Sequence, residues 1–205
     1  MKTDLSGKTA IVSGSTAGIG LAAAEGLAGA GARVVVTGRT QPRVDAALSK
    51  LVEHVPGASV VGVACDLATV EAAKALTDAE PHADILVNNL GIFDFKPFEE
   101  YADEEWLRYF DVNVMSGVRL TRAYLGGMTG AGWGRVVFVP SESAVHIPKD
   151  MIPYAMTKSA QHCPRIGREP AGHRCYGQFR VAWTNAVGKP ARFLRRKSAE
   201  RGQDN

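Results

Sequence analysis

Short apolar runs alternate with longer amphipathic stretches along the first four fifths of the chain. The runs are continuously apolar, a pattern typical of strands that are buried on both faces of a parallel sheet. Five such strands are predicted, at 9–13, 33–37, 59–64, 84–88 and 134–139. The stretches between them predict α-helices at 19–30, 43–54, 69–79, 103–112 and 114–129, and a further helix is predicted to begin near residue 153.

The alternation of strands and helices predicts an α/β fold with a doubly wound parallel sheet, because right-handed crossovers place helices on both faces. Net charge divides the chain in two. Residues 163–205 carry a net charge of +7, whereas the first 162 residues carry −4. We therefore predict one folded domain over residues 1–162 and a basic, irregular tail over 163–205.

Composition excludes several classes of protein. The chain has 205 residues, of which 45% are hydrophobic and 22% charged, as in ordinary globular proteins. No apolar run reaches the roughly 18 residues that span a bilayer, and the first residues lack an apolar signal core. Three cysteines are too few for a disulfide framework. These features predict a cytoplasmic protein with no membrane partner.

A glycine-rich segment, residues 13–20, separates the first predicted strand from the first helix. Glycines let the backbone turn sharply and approach a pyrophosphate, whose charge then lies at the helix N-terminus. A plain glycine-rich turn is the alternative, but its position in the first strand–helix connection favours a dinucleotide site. The candidate cofactor-binding residues of this turn are Gly14, Ser15, Thr16, Gly18, Ile19 and Gly20.

The spacing of these glycines resembles the short-chain dehydrogenase/reductase family, in its shorter, non-extended branch, and the likeness runs through residues 5–160. It includes Asp66 and Leu67, which by this resemblance contact the adenine. Asn89 and Gly91 match the family's cofactor-binding segment after the fourth strand, although Leu90 stands where the family usually has alanine. The resemblance implies a Rossmann-type fold.

The end of the second predicted strand bears on the choice of cofactor. A carboxylate there would accept hydrogen bonds from the ribose hydroxyls and repel a 2′-phosphate. This chain has Gly38 and Arg39 instead, and a guanidinium suits phosphate. We therefore predict NADP(H), with NAD(H) as the second choice; a solvated loop cation is the alternative interpretation of Arg39.

Tyr154 and Lys158 are four residues apart, so on a helix they share a face. An ammonium beside a phenol favours the phenolate, which lets tyrosine act as a general acid or base. By the resemblance, Tyr154 transfers the proton and Lys158 binds the ribose, so that both are catalytic and cofactor-binding residues. Ser141, thirteen residues before the tyrosine, matches the family's catalytic serine. Ser143 is the competing assignment.

Asn113 matches the family's asparagine inside a helix, which by the resemblance bends the helix and holds a water of the proton relay. The alternative is a helix-capping asparagine between two helical stretches. The resemblance then implies hydride transfer between the cofactor and a carbonyl or secondary alcohol, with a small-molecule substrate. The alternative function is an inactive, truncated remnant that at most binds nucleotide.

Beyond about residue 161 the resemblance stops. Pro164 and Pro170 fall where the family continues a helix, and each costs about 3 kcal/mol in a helix interior. The codons permitted for residues 172–185, read one base later, allow the family's sixth strand and its Pro-Gly turn. We interpret this as a frameshift near residue 162, which leaves the family's C-terminal strands missing. An intact C-terminus would allow a homo-oligomer.

Two further interpretations of this segment are weak. The possible ligands of a metal, His162, Cys163, His173 and Cys175, have a spacing that fits no standard zinc pattern, so we expect no metal. The arginine-rich end lacks the aromatic residues and interleaved structure that nucleic-acid readout uses, so we expect no nucleic-acid partner.

Overall fold

The computed structural model describes residues 3–161 and the backbone of residues 174–179. Its centre is a six-stranded parallel sheet in the order β3-β2-β1-β4-β5-β6. The strands are β1 (Thr9–Val12), β2 (Arg33–Gly38), β3 (Val60–Ala64), β4 (Ile85–Asn88), β5 (Trp133–Phe138) and β6 (Arg174–Phe179). The doubly wound parallel sheet that the sequence predicts is confirmed.

Helices connect the strands as the amphipathic stretches predict. They are α1 (Gly18–Gly29), α2 (Gln41–His54), α3 (Val70–Ala79), α4 (Asp103–Phe110), α5 (Ser116–Gly130) and α6 (Ile152–Ala160). The junction between the two predicted stretches at 103–112 and 114–129 is a π-helical turn, Asp111–Met115, so that α4 and α5 follow each other without a loop.

Alternate side chains of β1 enter two different cores. In β1, Ala10 and Val12 face a cluster that includes Ala24 of α1 and Leu51 of α2. Ile11 faces the opposite cluster, which includes Leu76 of α3 and Leu120 and Met128 of α5. Because helices cover both faces, apolar residues predominate at successive positions of the central strands, which explains the continuous runs.

β6 lies inside the segment 163–205 that the sequence analysis predicts to be irregular, and at these six residues the prediction does not hold. Its backbone pairs with β5 in parallel from Trp133 opposite Arg174 to Phe138 opposite Phe179. The strand edge of β5 presents unpaired N–H and C=O groups, and a further strand satisfies them. The six residues fall where the shifted reading puts the missing sixth strand. The other residues of 163–205 lie outside the described part.

The order of the strands reverses at β1, which has β2 on one side and β4 on the other. In open α/β sheets the crevice outside the carboxyl ends of the strands at such a point is where ligands bind. The glycine turn leaves β1 at this edge, and the segment after β4 leaves beside it. The fold therefore brings the predicted cofactor residues together.

Candidate active site

The glycine turn after β1 has the backbone geometry that its sequence predicts. Gly14 and Gly18 have φ angles of 64° and 55°, in the left-handed region that favours glycine. Gly20 is constrained by space instead, since a Cβ there would lie 2.4 Å from the carbonyl oxygen of Gly14 and 2.5 Å from Nδ2 of Asn89. The turn can therefore approach a ligand closely with its backbone.

Asn89 holds this turn against the end of β4. Its Nδ2 donates to the carbonyl oxygens of Ser13 and Gly14, at 3.1 and 3.0 Å. The backbone N–H groups of Asn89 and Leu90 both donate to Oγ of Ser13, at 3.0 Å. The Leu90 side chain, the departure from the family pattern, lies against Gly14. Asn89 thus supports the shape of the turn. The Ser13 hydroxyl also supports it, and this role was not predicted from the sequence.

Ser15, a predicted cofactor-binding residue, is turned into the sheet. Its hydroxyl donates to the carbonyl of Val12 at 2.7 Å and accepts from the N–H of Thr37 at 2.9 Å. Its own N–H donates to the carbonyl of Thr37. With the side chain fully buried, Ser15 fastens the turn to β2 and offers no side-chain contact to a ligand. Ile19, by contrast, is 41% exposed at the start of α1.

A cleft of about 460 Å³ is lined in part by Leu90, whose side chain lies against Gly14 of the turn. The predicted turn residues Gly14, Ser15, Thr16, Gly18, Ile19 and Gly20 are not among the residues that line it. Of the predicted residues, Arg39, Asp66 and Gly91 line it. Leu67 does not, because its side chain is buried in the core that α3 and α5 cover, so any contact with the adenine would not use that side chain. Further residues that line the cleft carry no motif and were not predicted from the sequence. They are Thr69, Ile92, Glu104, Leu107, Arg108, Asp111 and Val112.

Arg39 follows β2 at the mouth of this cleft, and its side chain is exposed. In the part of the chain that the structure describes, no carboxylate forms an ion pair with it. At Gly38, the last residue of β2, a Cβ would lie 2.3 Å from Cγ2 of Thr16. Any side chain at the end of β2 would therefore require the Thr16 methyl group to move.

The helix α6 carries Tyr154 and Lys158 on one face. The ammonium of Lys158 lies 5.7 Å from the centre of the tyrosine ring. The lysine is only 4% exposed, and its Nζ donates to the carbonyl of Val139 at 2.9 Å and to Oε1 of Gln161 at 3.1 Å. Burial lowers the pKa of Lys158 from 10.5 to about 8, because desolvation disfavours the charged form.

Asn113 lies within the π-helical turn and is buried. Its Oδ1 accepts from the N–H of Ile92 at 2.7 Å, and its Nδ2 donates to the carbonyl of Ile92 at 3.0 Å and to Oγ1 of Thr157 at 2.9 Å. The asparagine therefore ties the segment after β4 to α6 and does not cap a helix. Single π turns are frequent at functional sites.

Ser141 begins a short 3₁₀ turn, Glu142–Ala144, two residues beyond Val139. Its hydroxyl accepts from the N–H of Ser143 at 3.2 Å. Ser143 is buried, whereas Ser141 is half-buried, so the structure favours Ser141 over Ser143 as the serine that a ligand could reach. The bond from Lys158 to Val139 fixes α6 beside this serine.

Phe93 is a further neighbour of Tyr154 that the sequence analysis missed. The two rings lie 5.8 Å apart at an angle of 59°. Phe93 is 61% exposed, unusual for a phenylalanine, and therefore presents an apolar surface beside the phenol. No motif marks it, because the segment between β4 and α4 lacks a regular pattern.

Comparison with known proteins matches residues 8–163 to the family described as short chain dehydrogenase. The chain is 46% identical over 161 residues to the uncharacterized oxidoreductase YvaG of Bacillus subtilis, covering 78% of this chain and 61% of that protein. The structure of L-sorbose reductase from Gluconobacter frateurii, complexed with NADPH and L-sorbose, is 39% identical with a TM-score of 0.73 and covers 78% and 62% of the two chains. A 7α-hydroxysteroid dehydrogenase complexed with NADH and 7-oxo glycochenodeoxycholic acid is 30% identical with a TM-score of 0.72, covering 78% and 63%.

A glycine turn at the reversal of strand order places the chain among the dinucleotide-binding α/β proteins. Within that class it belongs to the short-chain dehydrogenase family, as the motifs predict. The family match ends at residue 163, close to the residue where the resemblance is predicted to stop. The chain spans about three fifths of the length of the curated relatives it matches.

The described residues also bear on membrane and metal sites. Within that part of the chain, no helix is long and apolar enough to cross a bilayer. Nor do three or more His, Cys, Asp or Glu side chains meet there in a group that could hold a metal ion. His162, Cys163 and His173, and the side chain of Cys175, lie outside the described residues.

Proposed function

We propose that the protein is an oxidoreductase that transfers a hydride between NADP(H) and the carbonyl or secondary alcohol carbon of a small molecule. One observation carries the proposal: Gly91 belongs to both halves of the site. It lines the cleft, and a Cβ at this residue would lie 3.6 Å from Nζ of Lys158 and 3.5 Å from Oδ1 of Asn113. The candidate nucleotide cleft and the candidate proton-transfer residues are thus contiguous.

The glycine turn supports a dinucleotide that would extend from this cleft to the start of α1, where Gly14, Gly18 and Gly20 carry no side chains. The N-terminus of a helix attracts phosphate through its free N–H groups and its dipole. When bound, a nicotinamide dinucleotide supplies or accepts the hydride. Asp66 and Gly91 would contact its other parts along the cleft, as the family resemblance implies.

Two features support the phosphorylated cofactor. Arg39 is an exposed cation without a carboxylate partner in the described part of the chain, and Gly38 leaves no acidic side chain at the end of β2. Asp66, Glu104 and Asp111 also line the cleft, and its second cation, Arg108, shares α4 with Glu104. A 2′-phosphate would therefore lie toward Arg39. Similar structures hold NADPH in one case and NADH in another, so the fold alone does not decide.

In the reduction, the phenol of Tyr154 would donate its proton to the substrate oxygen, and in the oxidation it would take the proton back. The hydroxyl of Ser141 would donate a hydrogen bond to the same oxygen and stabilise the charge that develops on it. The ammonium of Lys158 would act on both the phenol and the cofactor ribose. Asn113 would hold α6 in place through Thr157.

The test is NADPH consumption by the 205-residue chain against a panel of ketones and aldehydes. Tyr154→Phe should lower turnover by about two to four orders of magnitude, the usual contribution of a general acid, while NADPH binding stays nearly unchanged. Tyr124→Phe is the matched control, because it removes a phenol whose hydroxyl donates to the carbonyl of Glu80, away from the cleft. Substantial turnover in Tyr154→Phe would show that another group is the acid.

Other aspects of function follow as proposals. Retention of Tyr154, Lys158, Ser141 and Asn113 argues against the alternative, an inactive remnant that binds nucleotide. A cytoplasmic location, the absence of membrane and nucleic-acid partners, and a homo-oligomer in a chain with an intact C-terminus stay predictions from the sequence.

A further inference from the structure

The side chain of Gln161 lies between two residues of the candidate active site. Its Oε1 accepts a hydrogen bond from Nζ of Lys158 at 3.1 Å, and its Nε2 donates to the backbone carbonyl of Asn113. Gln161 is 4% exposed and follows α6 directly. No motif of the sequence analysis marks this residue, and the proposed function does not use it.

Both ends of the glutamine amide are needed to connect these residues. The Asn113 side chain is already occupied, since its amide bonds Ile92 and Thr157, and only its backbone carbonyl faces Gln161. Lys158 carries donors only. A side chain that links an ammonium to a carbonyl must offer an acceptor at one end and a donor at the other, which an amide does.

The consequence for Lys158 is geometric. An ammonium has three N–H donors in a fixed tetrahedral arrangement. The carbonyl of Val139 takes one of them and Oε1 of Gln161 takes a second. Two fixed hydrogen bonds determine the direction of the third N–H, which is left for a ligand such as the cofactor ribose. The charge of the ammonium acts on the phenol of Tyr154 without that N–H.

We propose that Gln161 is a positioning residue of the proton-transfer site, which orients the ammonium of Lys158 by anchoring it to the backbone carbonyl of Asn113. The catalytic purpose of this orientation rests on the proposed function. The contacts of Gln161 with Lys158 and Asn113 do not depend on that function. It assigns no proton transfer to Gln161, because an amide neither gains nor loses a proton at ordinary pH.

Three substitutions separate this role from a merely structural one. Gln161→Leu fills a similar volume but removes the acceptor and the donor. Gln161→Ala leaves room for a water, which can restore part of the acceptor. Gln161→Glu retains an acceptor for Lys158 and adds a negative charge, while it loses the donor to Asn113. Tyr124→Phe serves again as the control, since it removes one largely buried hydrogen bond elsewhere.

The first measurement is the titration of Lys158 in the full chain, followed by NMR of labelled lysine and assigned with Lys158→Met. Loss of a hydrogen bond to a charged group should lower the pKa of Lys158 by about one unit in Gln161→Leu, and by less in Gln161→Ala. The carboxylate of Gln161→Glu should raise it. Tyr124→Phe should leave it unchanged. An unchanged pKa of Lys158 in folded Gln161→Leu would overturn the proposal.

If Gln161→Leu does not fold, the opposite shifts expected for Gln161→Ala and Gln161→Glu decide the question, and shifts in the same direction would contradict the proposal. Turnover is the second measurement. We expect the kcat of Gln161→Leu to fall about tenfold, and the alkaline limit of its pH profile to move to lower pH together with the pKa of Lys158. Turnover that changes while this limit stays fixed would count against positioning.

The proposed function and this proposal fail in different ways. If the unmodified chain neither binds NADPH nor reduces a carbonyl, while the Lys158 titration shifts as expected, the proposed function is wrong and the role of Gln161 in orienting Lys158 stands. If the chain reduces carbonyls and the titration ignores Gln161, only the inference about Gln161 is wrong.

Discussion

Among the individual side chains of the cleft, Arg39 makes the sharpest prediction about the cofactor. We expect the chain to bind NADPH more tightly than NADH, and Arg39→Ala to remove most of the difference. A charge-assisted contact is worth about 1.5–3 kcal/mol, which corresponds to roughly ten- to hundredfold in affinity. The measurement is titration calorimetry with both nucleotides.

Arg122→Ala provides the control for this titration, because it removes an equally charged, exposed arginine from α5 that does not line the cleft. It should leave the ratio of the two affinities unchanged. Equal affinities of the unmodified chain for NADPH and NADH would contradict the role of Arg39.

Lys158 makes a prediction about stability and pH. Its pKa is about 8 in the folded chain and 10.5 when unperturbed, so between these values the unfolded chain binds more protons. The contribution of this group to the free energy of unfolding therefore rises with pH from about 8 to about 10, and is constant below. Over this range the unmodified chain should gain stability relative to Lys158→Met, by up to about 3 kcal/mol.

Denaturant unfolding of both proteins at several pH values measures this difference. The comparison cancels the other titrating groups, since the two chains share them. A difference that stays flat across the range would show that Lys158 is not desolvated as the structure has it.

The sequence predicted the location of the site better than the orientation of each side chain. The spacing of Tyr154 and Lys158 fixes a shared helix face, and the structure has them on that face. The side chains of Ser15 and Leu67 do not face the cleft, although both residues are predicted to contact the cofactor. Burial against the neighbouring strand or the core decides which way a side chain in a turn points. Gln161 went unnoticed, since its partner Asn113 is distant in sequence.

At the scale of elements, the glycine turn and α1 offer a matched pair of substitutions. Gly20→Ala should weaken nucleotide binding and lower the free energy of unfolding by about 1–3 kcal/mol, because its Cβ would overlap the carbonyl of Gly14. Gly26→Ala, in the same helix with no atom within 4 Å of the added Cβ, should stabilise the chain by about 0.5–1 kcal/mol. Thermal unfolding and NADPH titration check both.

The prediction requires that Gly20→Ala lowers the free energy of unfolding and that Gly26→Ala raises it. If Gly20→Ala unfolds like the unmodified chain and binds NADPH normally, the close approach of the turn to the segment after β4 is not needed.

The first five strands and the helices between them could be predicted because strands covered on both faces leave continuous apolar runs. The π turn at Asp111–Met115 could not, since one extra residue in a turn leaves the apolar pattern of the flanking helices almost unchanged. β6 could not either, because Arg174–Phe179 lacks an apolar run and its pairing depends on the edge of β5.

At the scale of the whole molecule, we predict that the gene carries a frameshift near residue 162. We expect sequencing of the gene across codons 155–190 to reveal a one-base displacement, after which the restored frame encodes the family's sixth strand at the place of β6. The end of the family match at residue 163 agrees with this position. A confirmed, unbroken reading frame would contradict the interpretation.

The central claim is that cleft and proton-transfer residues form one oxidoreductase site, and deuterium transfer tests it most directly. The chain would be incubated with NADPH that carries deuterium at both positions of C4 of the nicotinamide and with a carbonyl substrate, and the alcohol would be analysed by mass spectrometry. The account predicts deuterium on the former carbonyl carbon, and its near absence with Tyr154→Phe. NADPH that binds while no carbonyl in the panel gains deuterium would contradict the claim.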